Sequence, residues 1–271
     1  MPDLQPLLAA IPFPNIDPVA LDLGFFQIRW YALSYIVGLL LAWRYARWLT
    51  ERSPSELSKE DMDDFLVWAT LGVVFGGRIG YVLFYQPGQF VENPLSALAL
   101  WQGGMAFHGG LLGVIAAMWL FMRRRAGGFF HLTDMIACAA PIGLFLGRLA
   151  NFINGELYGR VTGVSWGMVF PAGGPEPRHP SQLYQATLEG LLLFLLLFLL
   201  VRGDGLQRKG YMTGWFLAGY GAARIVGELF RQPDAFLGFL FAGATMGQLL
   251  SLPMLLGGIA LILWSRRRQT A

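Results

Sequence analysis

Apolar residues run along this chain in long stretches separated by short polar connections. Seven of the stretches approach the ~20 residues that a helix needs to cross the hydrocarbon core of a bilayer. They cover approximately 30–49, 64–85, 105–122, 132–151, 181–201, 211–230 and 244–264. The fifth, centred on LEGLLLFLLLFLLV, is the clearest. Arg78 interrupts the second, and Arg224 and Glu228 the sixth. Pro141 falls inside the fourth, which membrane helices tolerate because neighbours re-satisfy the freed carbonyl. The pattern predicts an all-α polytopic membrane protein with seven transmembrane helices in a single domain over residues 1–271. The Gly- and Pro-rich connection 152–180 is expected to form a small cap on the outer side. There is no internal repeat and no low-complexity segment.

Composition agrees. The 271 residues are 55% hydrophobic with a mean hydropathy of +0.50, and only 14% are charged. A soluble domain carries about a quarter of its residues as charges. The basic residues set the orientation. Arg44, Arg47, Arg52, Lys59, Arg123, Arg124, Arg125, Arg202, Arg208, Lys209, Arg266, Arg267 and Arg268 fall on one set of connections. Arg29, Arg160, Arg178 and Arg231 fall on the other. Thirteen against four is a positive-inside bias that places the N-terminus outside and the C-terminus in the cytoplasm, as an odd number of spans requires. The opening stretch MPDLQPLLAAIPFPNIDP lacks a basic n-region and reads as no signal peptide. The net charge of +3 sits in short clusters between apolar runs, so nucleic acid is not an expected partner.

Charge inside a membrane is costly, roughly 2.5–3.5 kcal/mol per side chain at mid-bilayer, so such residues are candidates for function. The expected topology puts most of them at one level. Tyr31 and His108 lie at the outer ends of the first and third helices. Arg148, Asn151, Asn154 and Glu156 cluster where the fourth emerges, and His179, Ser181, Gln182 and Tyr184 open the fifth. Tyr220, Arg224, Glu228 and Arg231 approach the outer end of the sixth, with Arg78 somewhat deeper in the second. Arginine binds phosphate bidentately and never loses its charge, so intramembrane arginines suit an anionic phospholipid headgroup. A lone histidine of near-neutral pKa suits general-base work. Gly109 and Gly110 beside it admit close approach of a ligand or another helix.

Each candidate also has a plainer reading. Arg224 and Glu228, spaced i, i+4, can neutralise one another. His108 can be an interfacial cap satisfied by water, and Arg78 a snorkelling or helix-pairing residue. His131 follows the basic cluster Arg123 to Arg125 and reads as a solvated loop residue. Gly72, Gly76 and Gly80 read as a small-xxx-small packing face. Cys138, the sole cysteine, reads as a small buried apolar residue. Gly163-Val164-Ser165-Trp166-Gly167 matches a nucleophile elbow, but that motif needs a strand before it and a helix after it. Motifs for metals, nucleotides and paired cysteines are absent from the sequence, so no cofactor and no metal are expected.

The run from Gly147 through Arg148, Asn151, Asn154, Gly155 and Glu156 to Gly159 resembles the signature of the prolipoprotein diacylglyceryl transferases. RWYALSYIVG, GGRIGYVLFY, WQGGMAFHGGLLG, RHPSQLY, GYGAARIVGELFRQPD and MGQLLSLPM resemble further family segments, in family order along almost the whole chain. Gln185 departs from the pattern, since the family usually has Glu after HPSQLY; Glu189 lies one turn on. The segment between Gly159 and Arg178 is also short for the family.

The resemblance implies transfer of the sn-1,2-diacylglyceryl group of phosphatidylglycerol to the lipobox cysteine of a prolipoprotein. A thioether forms and glycerol 1-phosphate leaves, without cofactor. The partners are then phosphatidylglycerol, lipobox-containing signal peptides and membrane lipids. The place is the bacterial inner membrane, with the site towards the periplasm. His108 is expected as general base for the substrate thiol, and Arg148 and Arg224 as phosphate ligands. Glu156 and Glu228 are expected to orient the guanidinium groups. Tyr31, Asn151 and Tyr220 are candidate hydrogen-bond partners, Arg78 a further lipid contact, and Gly159 a tight turn at the helix exit. A phospholipid transporter or flippase is the competing reading; it predicts a midplane site between repeats.

Overall fold

The computed structural model describes residues 11–54, 57–85, 88, 98–99, 103–125, 128–233 and 238–267. The opening ten residues, Trp101 and Gln102 of the WQGG run, Asp234 and Arg268 lie outside the described residues. The described chain is mostly helical. Long helices occupy all seven predicted stretches: α1 (Trp30–Thr50), α2 (Lys59–Phe84), α3 (Phe107–Met122), α4 (Phe129–Ile153), α5 (residues 181–202), α6 (Tyr211–Glu228) and α7 (Met246–Arg267). Four of them, α2, α4, α5 and α7, are long and apolar enough to cross a membrane. Sixteen residues make α3 short, and α6 carries Arg224 and Glu228 in its last turns.

Two helices, α2 and α4, start earlier than expected. The first residues of α2 are polar, yet Ser58 accepts from the Asp61 amide and Asp61 caps Ser58 in return, so the helix begins five residues early. The start of α4 at Phe129 corrects the reading of His131 as a solvated loop residue. It lies in the first turn, 6% exposed beside buried Thr133 and Asp134, because the helix extends back past the expected boundary at 132.

The chain divides into two compact units, Ala46–Met135 and the remainder, Met1–Tyr45 with Ile136–Ala271. Within 46–135, α2 and α3 pack antiparallel, backbone to backbone. A Cβ added at Gly113 would lie 2.0 Å from the Gly72 carbonyl oxygen, and one at Gly76 2.4 Å from that of Gly109. The glycine face is thus a helix-packing face, and Gly109 serves it. Phe65, Met62 and Phe121 fill the core beside it. At the polar end Arg125 pairs with Asp61 (2.7 Å) and Asp64 (3.1 Å), and Arg47 with Asp63.

In the other unit α6 and α7 are joined the same way, with Gly258 against the Ala218 amide and Gly221 against Ser251 and Leu255. Gly190 of α5 abuts Phe145 of α4, and Gly38 of α1 abuts Gly143. Cys138 is fully buried. Short strands, which the apolar pattern did not predict, complete the unit. Strands β2 (Val19–Asp22) and β3 (Gln27–Arg29) form a hairpin, while β1 (Ile11–Pro12) pairs parallel with β4 (Met168–Val169). Phe13, Phe152, Tyr158 and the fully buried Phe170 pack ring on ring, giving the 152–180 segment a small core of its own. Ser165 is exposed, with β4 after it where an elbow needs a helix.

Candidate active site

The fifth helix is not uniform. It opens as α-helix over Ser181–Gln185, widens to a π-helix over Ala186–Leu192 and returns to α-helix over Leu193–Arg202. Such π-helical turns are often retained at functional sites because they re-aim side chains. Here the widened turn carries Glu189, which is fully buried between two arginines. Its Oε2 accepts from Nε (3.2 Å) and Nη2 (3.0 Å) of Arg148 on α4. Its Oε1 accepts from Nη1 of Arg224 on α6 at 3.4 Å.

The chain of charges continues. Arg224 Nη2 lies 2.8 Å from Oε1 of Glu228, which also receives Arg231 Nη1 at 3.2 Å. The second Glu228 oxygen accepts from the Thr245 hydroxyl at 2.7 Å. Among the described residues Arg148, Glu189, Arg224, Glu228 and Arg231 therefore alternate in sign along one connected chain of ion pairs. Both carboxylates are almost wholly buried, while the arginines keep 11–16% exposure. Buried carboxylates of this kind persist only when paired.

Most of the residues expected at the outer level meet around this cluster. The Tyr220 phenol lies within electrostatic reach of Glu189, Arg224, Arg148 and Glu228. Tyr31, whose hydroxyl is 3.2 Å from that of Tyr35, lies within reach of Glu156 and Arg148. Glu156 takes a different post from the one expected. Its Oε1 accepts from Asn151 Nδ2 (2.8 Å) and Asn154 Nδ2 (3.3 Å), so among the described hydrogen bonds it fixes the exit of α4, and Glu189 holds the Arg148 guanidinium. Glu228 does hold Arg224, as its spacing allowed.

Gly159 is needed for a reason other than a turn. Its backbone passes between two other segments, and a Cβ there would sit 2.6 Å from His179 Cβ, the His179 carbonyl oxygen and the Phe230 carbonyl oxygen alike. The turn after α4 falls instead to Gly155 and Leu157, whose φ values are +66° and +58°. The start of α5 pins this turn, with the Ser181 hydroxyl donating to the Leu157 carbonyl (2.9 Å) and Gln182 Nε2 to that of Glu156 (2.6 Å). Arg160 braces the end of α6, donating to the carbonyls of Glu228 and Arg231 at 3.0 Å each. Just outside α5, Trp166 Nε1 donates to the Tyr184 hydroxyl (2.7 Å), which lies 3.1 Å from His179 Nδ1. Burial, and then the charge of Arg160, hold the His179 imidazole below its usual pKa.

His108 and Arg78 belong to the 46–135 unit. His108 is the second residue of α3 and exposed, with Phe107 edge-on to its ring at 5.5 Å. Arg78 is buried and donates to the carbonyls of Gly103 (2.6 Å), Gly104 (3.2 Å) and Ala99 (3.3 Å), so it anchors the connection leading into α3.

Sequence reasoning passed over Glu189 as a site residue. The signal was present: Gln182, Gln185 and Glu189 are spaced i, i+3, i+7, which draws one polar stripe along an otherwise apolar helix, and all three are fully buried.

Comparison with known proteins bears on the same residues. Residues 18–264 match the family model described as prolipoprotein diacylglyceryl transferase. Relatives named phosphatidylglycerol–prolipoprotein diacylglyceryl transferase include one from Paramagnetospirillum magneticum, 60% identical over 96% of this chain and 97% of its own length. One from Rhodospirillum rubrum is 60% identical over 96% of both chains, and one from Azospirillum brasilense 57% identical over 97% of this chain and all of its own. With the match running through all seven helices and the buried arginine cluster, the chain belongs to the prolipoprotein diacylglyceryl transferase family.

Proposed function

We propose that this protein transfers the sn-1,2-diacylglyceryl group of phosphatidylglycerol to the lipobox cysteine thiol of a prolipoprotein. The supporting observation is the pair Arg148 and Arg224 joined through the buried carboxylate of Glu189. Glu189 holds the two guanidinium groups together, and the guanidinium N–H donors that it does not take are suited to a phosphodiester beside it.

In this reading His108 takes the proton of the substrate thiol. The thiolate attacks the glycerol carbon that bears the phosphate ester, a C–S bond forms, and the C–O bond breaks with its electron pair passing to the phosphate. The phosphate changes from diester monoanion to monoester dianion as glycerol 1-phosphate departs. Arg148 and Arg224 stabilise that added charge, with Arg231 behind them through Glu228. Tyr31, Tyr220, Asn151 and Glu156 line the approach, Gly159 lets the walls close, and Arg78 holds the connection that positions His108.

All seven helices are read as crossings of the bacterial inner membrane, N-terminus outside and C-terminus in the cytoplasm, on the thirteen-to-four bias of basic residues. The site then faces the periplasm, where lipobox peptides are presented after export. The test is to incubate the purified protein in detergent with phosphatidylglycerol and a lipobox peptide. Equimolar glycerol phosphate release and peptide mass gain support the transferase. Lipid binding with neither product would move a lipid transporter to first place.

A further inference from the structure

The headgroup site contains a polar group that the mechanism above leaves without work. Gln185 is fully buried, and neither its amide nitrogen nor its amide oxygen has a hydrogen-bond partner among the described residues. Its neighbour Gln182 is left with only its amide oxygen unmet, since its amide nitrogen donates to the Glu156 carbonyl. An unmet buried donor and acceptor are expensive, and a single residue carrying both is a strong sign of a missing ligand.

Its position says what kind of ligand. Gln185 stands at the entry to the π-helical turn, one turn before Glu189. Both side chains converge on Gly227 of α6: a Cβ built there would lie 3.3 Å from Gln185 Cγ, 3.7 Å from its Nε2 and 3.9 Å from Glu189 Oε1. The amide therefore adjoins the carboxylate that joins Arg148 and Arg224, next to the seat assigned to the phosphate. It is neutral, and it offers one donor end and one acceptor end. The complementary ligand group is a hydroxyl, which accepts and donates in turn; an ammonium only donates and would leave the amide N–H unmet.

Resting on the proposed transferase reading, we propose that the Gln185 carboxamide binds a hydroxyl of the donor lipid's polyol headgroup and so makes the enzyme select hydroxylated headgroups. A water molecule offers the same chemistry, and the experiment separates the two. Transfer to a lipobox peptide is measured with phosphatidylglycerol and with phosphatidylpropanol, which keeps the phosphodiester and the three-carbon headgroup but has no hydroxyl. Wild type, Gln185→Met, Gln185→Asn and Gln185→Glu are compared, with unfolding midpoints recorded alongside.

An analogue that lacks the hydroxyl leaves the buried amide unmet, so wild type is expected to favour phosphatidylglycerol by on the order of a hundredfold in kcat/KM. Gln185→Met should shrink that preference at least about tenfold, by losing activity on phosphatidylglycerol while activity on phosphatidylpropanol holds. Gln185→Glu, which still accepts from a hydroxyl, should retain much of the preference. Should the Met variant fail to fold, Gln185→Asn, an amide withdrawn by one methylene, is read for the same loss. An equal preference in wild type and the folded variants overturns the proposal and leaves the amide to a structural water. Wild-type protein inactive on both lipids would instead bring down the transferase reading.

Discussion

Arg148 gives two guanidinium nitrogens, Nε and Nη2, to a single oxygen of Glu189, at 3.2 and 3.0 Å. The other Glu189 oxygen is thereby left for Arg224, and one carboxylate on a π-helical turn holds two helices' arginines in a common site.

Removing that carboxylate leaves two largely buried cations without the anion that joins them. Glu189→Gln should cost about 3–5 kcal/mol of stability, the usual penalty for breaking a buried pair. Glu156→Gln, at an exposed position, should cost roughly 1 kcal/mol or less. Unfolding midpoints in detergent check the contrast, and equal costs would argue against Glu189 as the keystone.

Charge alone does not reproduce the Arg148 contact. Lysine offers a compact ammonium that cannot present two parallel donors to a phosphate. Arg148→Lys should lose about a hundred- to a thousand-fold in rate, as loss of one transition-state donor usually does. The check is initial-rate transfer at saturating lipid. Near-normal turnover would remove the bidentate role.

Gly159 is confined by two backbone carbonyls and the His179 Cβ, none of them the far end of a flexible side chain. Gly159→Ala should destabilise by about 1–3 kcal/mol, the range for overpacking. Gly163→Ala, where nothing lies within 4 Å of the added methyl, serves as the neutral control. Both are read from unfolding midpoints.

His179 contributes a pH dependence. Its folded pKa lies below the ordinary 6.5, so as pH falls the unfolded chain takes up the proton first. Its share of stability is full above about pH 6.5 and is lost as pH falls through the folded pKa. Midpoints measured from pH 7.5 to 5 should fall less steeply in His179→Gln than in wild type. Superimposable slopes would show that the histidine is not held neutral.

The apolar runs located every long helix, because membrane helices announce themselves by length and hydropathy. What they missed was local and polar. The capping pair Ser58 and Asp61 started α2 early, and the buried first turn of α4 took His131 with it. The β2–β3 hairpin has too little apolar alternation to register, although Asp22 accepting from the amide of Gly24, at φ +79°, is its turn signal. In the site, intramembrane charge correctly drew attention to Arg148, Arg224 and Glu228. Glu189 was obscured because it opens the most apolar run of the chain. The partnership of Glu156 with Asn151 and Asn154 depends on how the chain turns after α4, which residue spacing does not reveal.

In the proposed reaction Arg148 and Arg224 act on one phosphate as a single unit. Their joint action is tested most directly by kcat/KM for phosphatidylglycerol in wild type, Arg148→Ala, Arg224→Ala and the double variant. Either single change is expected to remove most of the activity and the double change to add little, so that the coupling is about as large as the smaller single loss, roughly 3–4 kcal/mol. Losses that simply add would contradict it, leaving two arginines that work on separate groups.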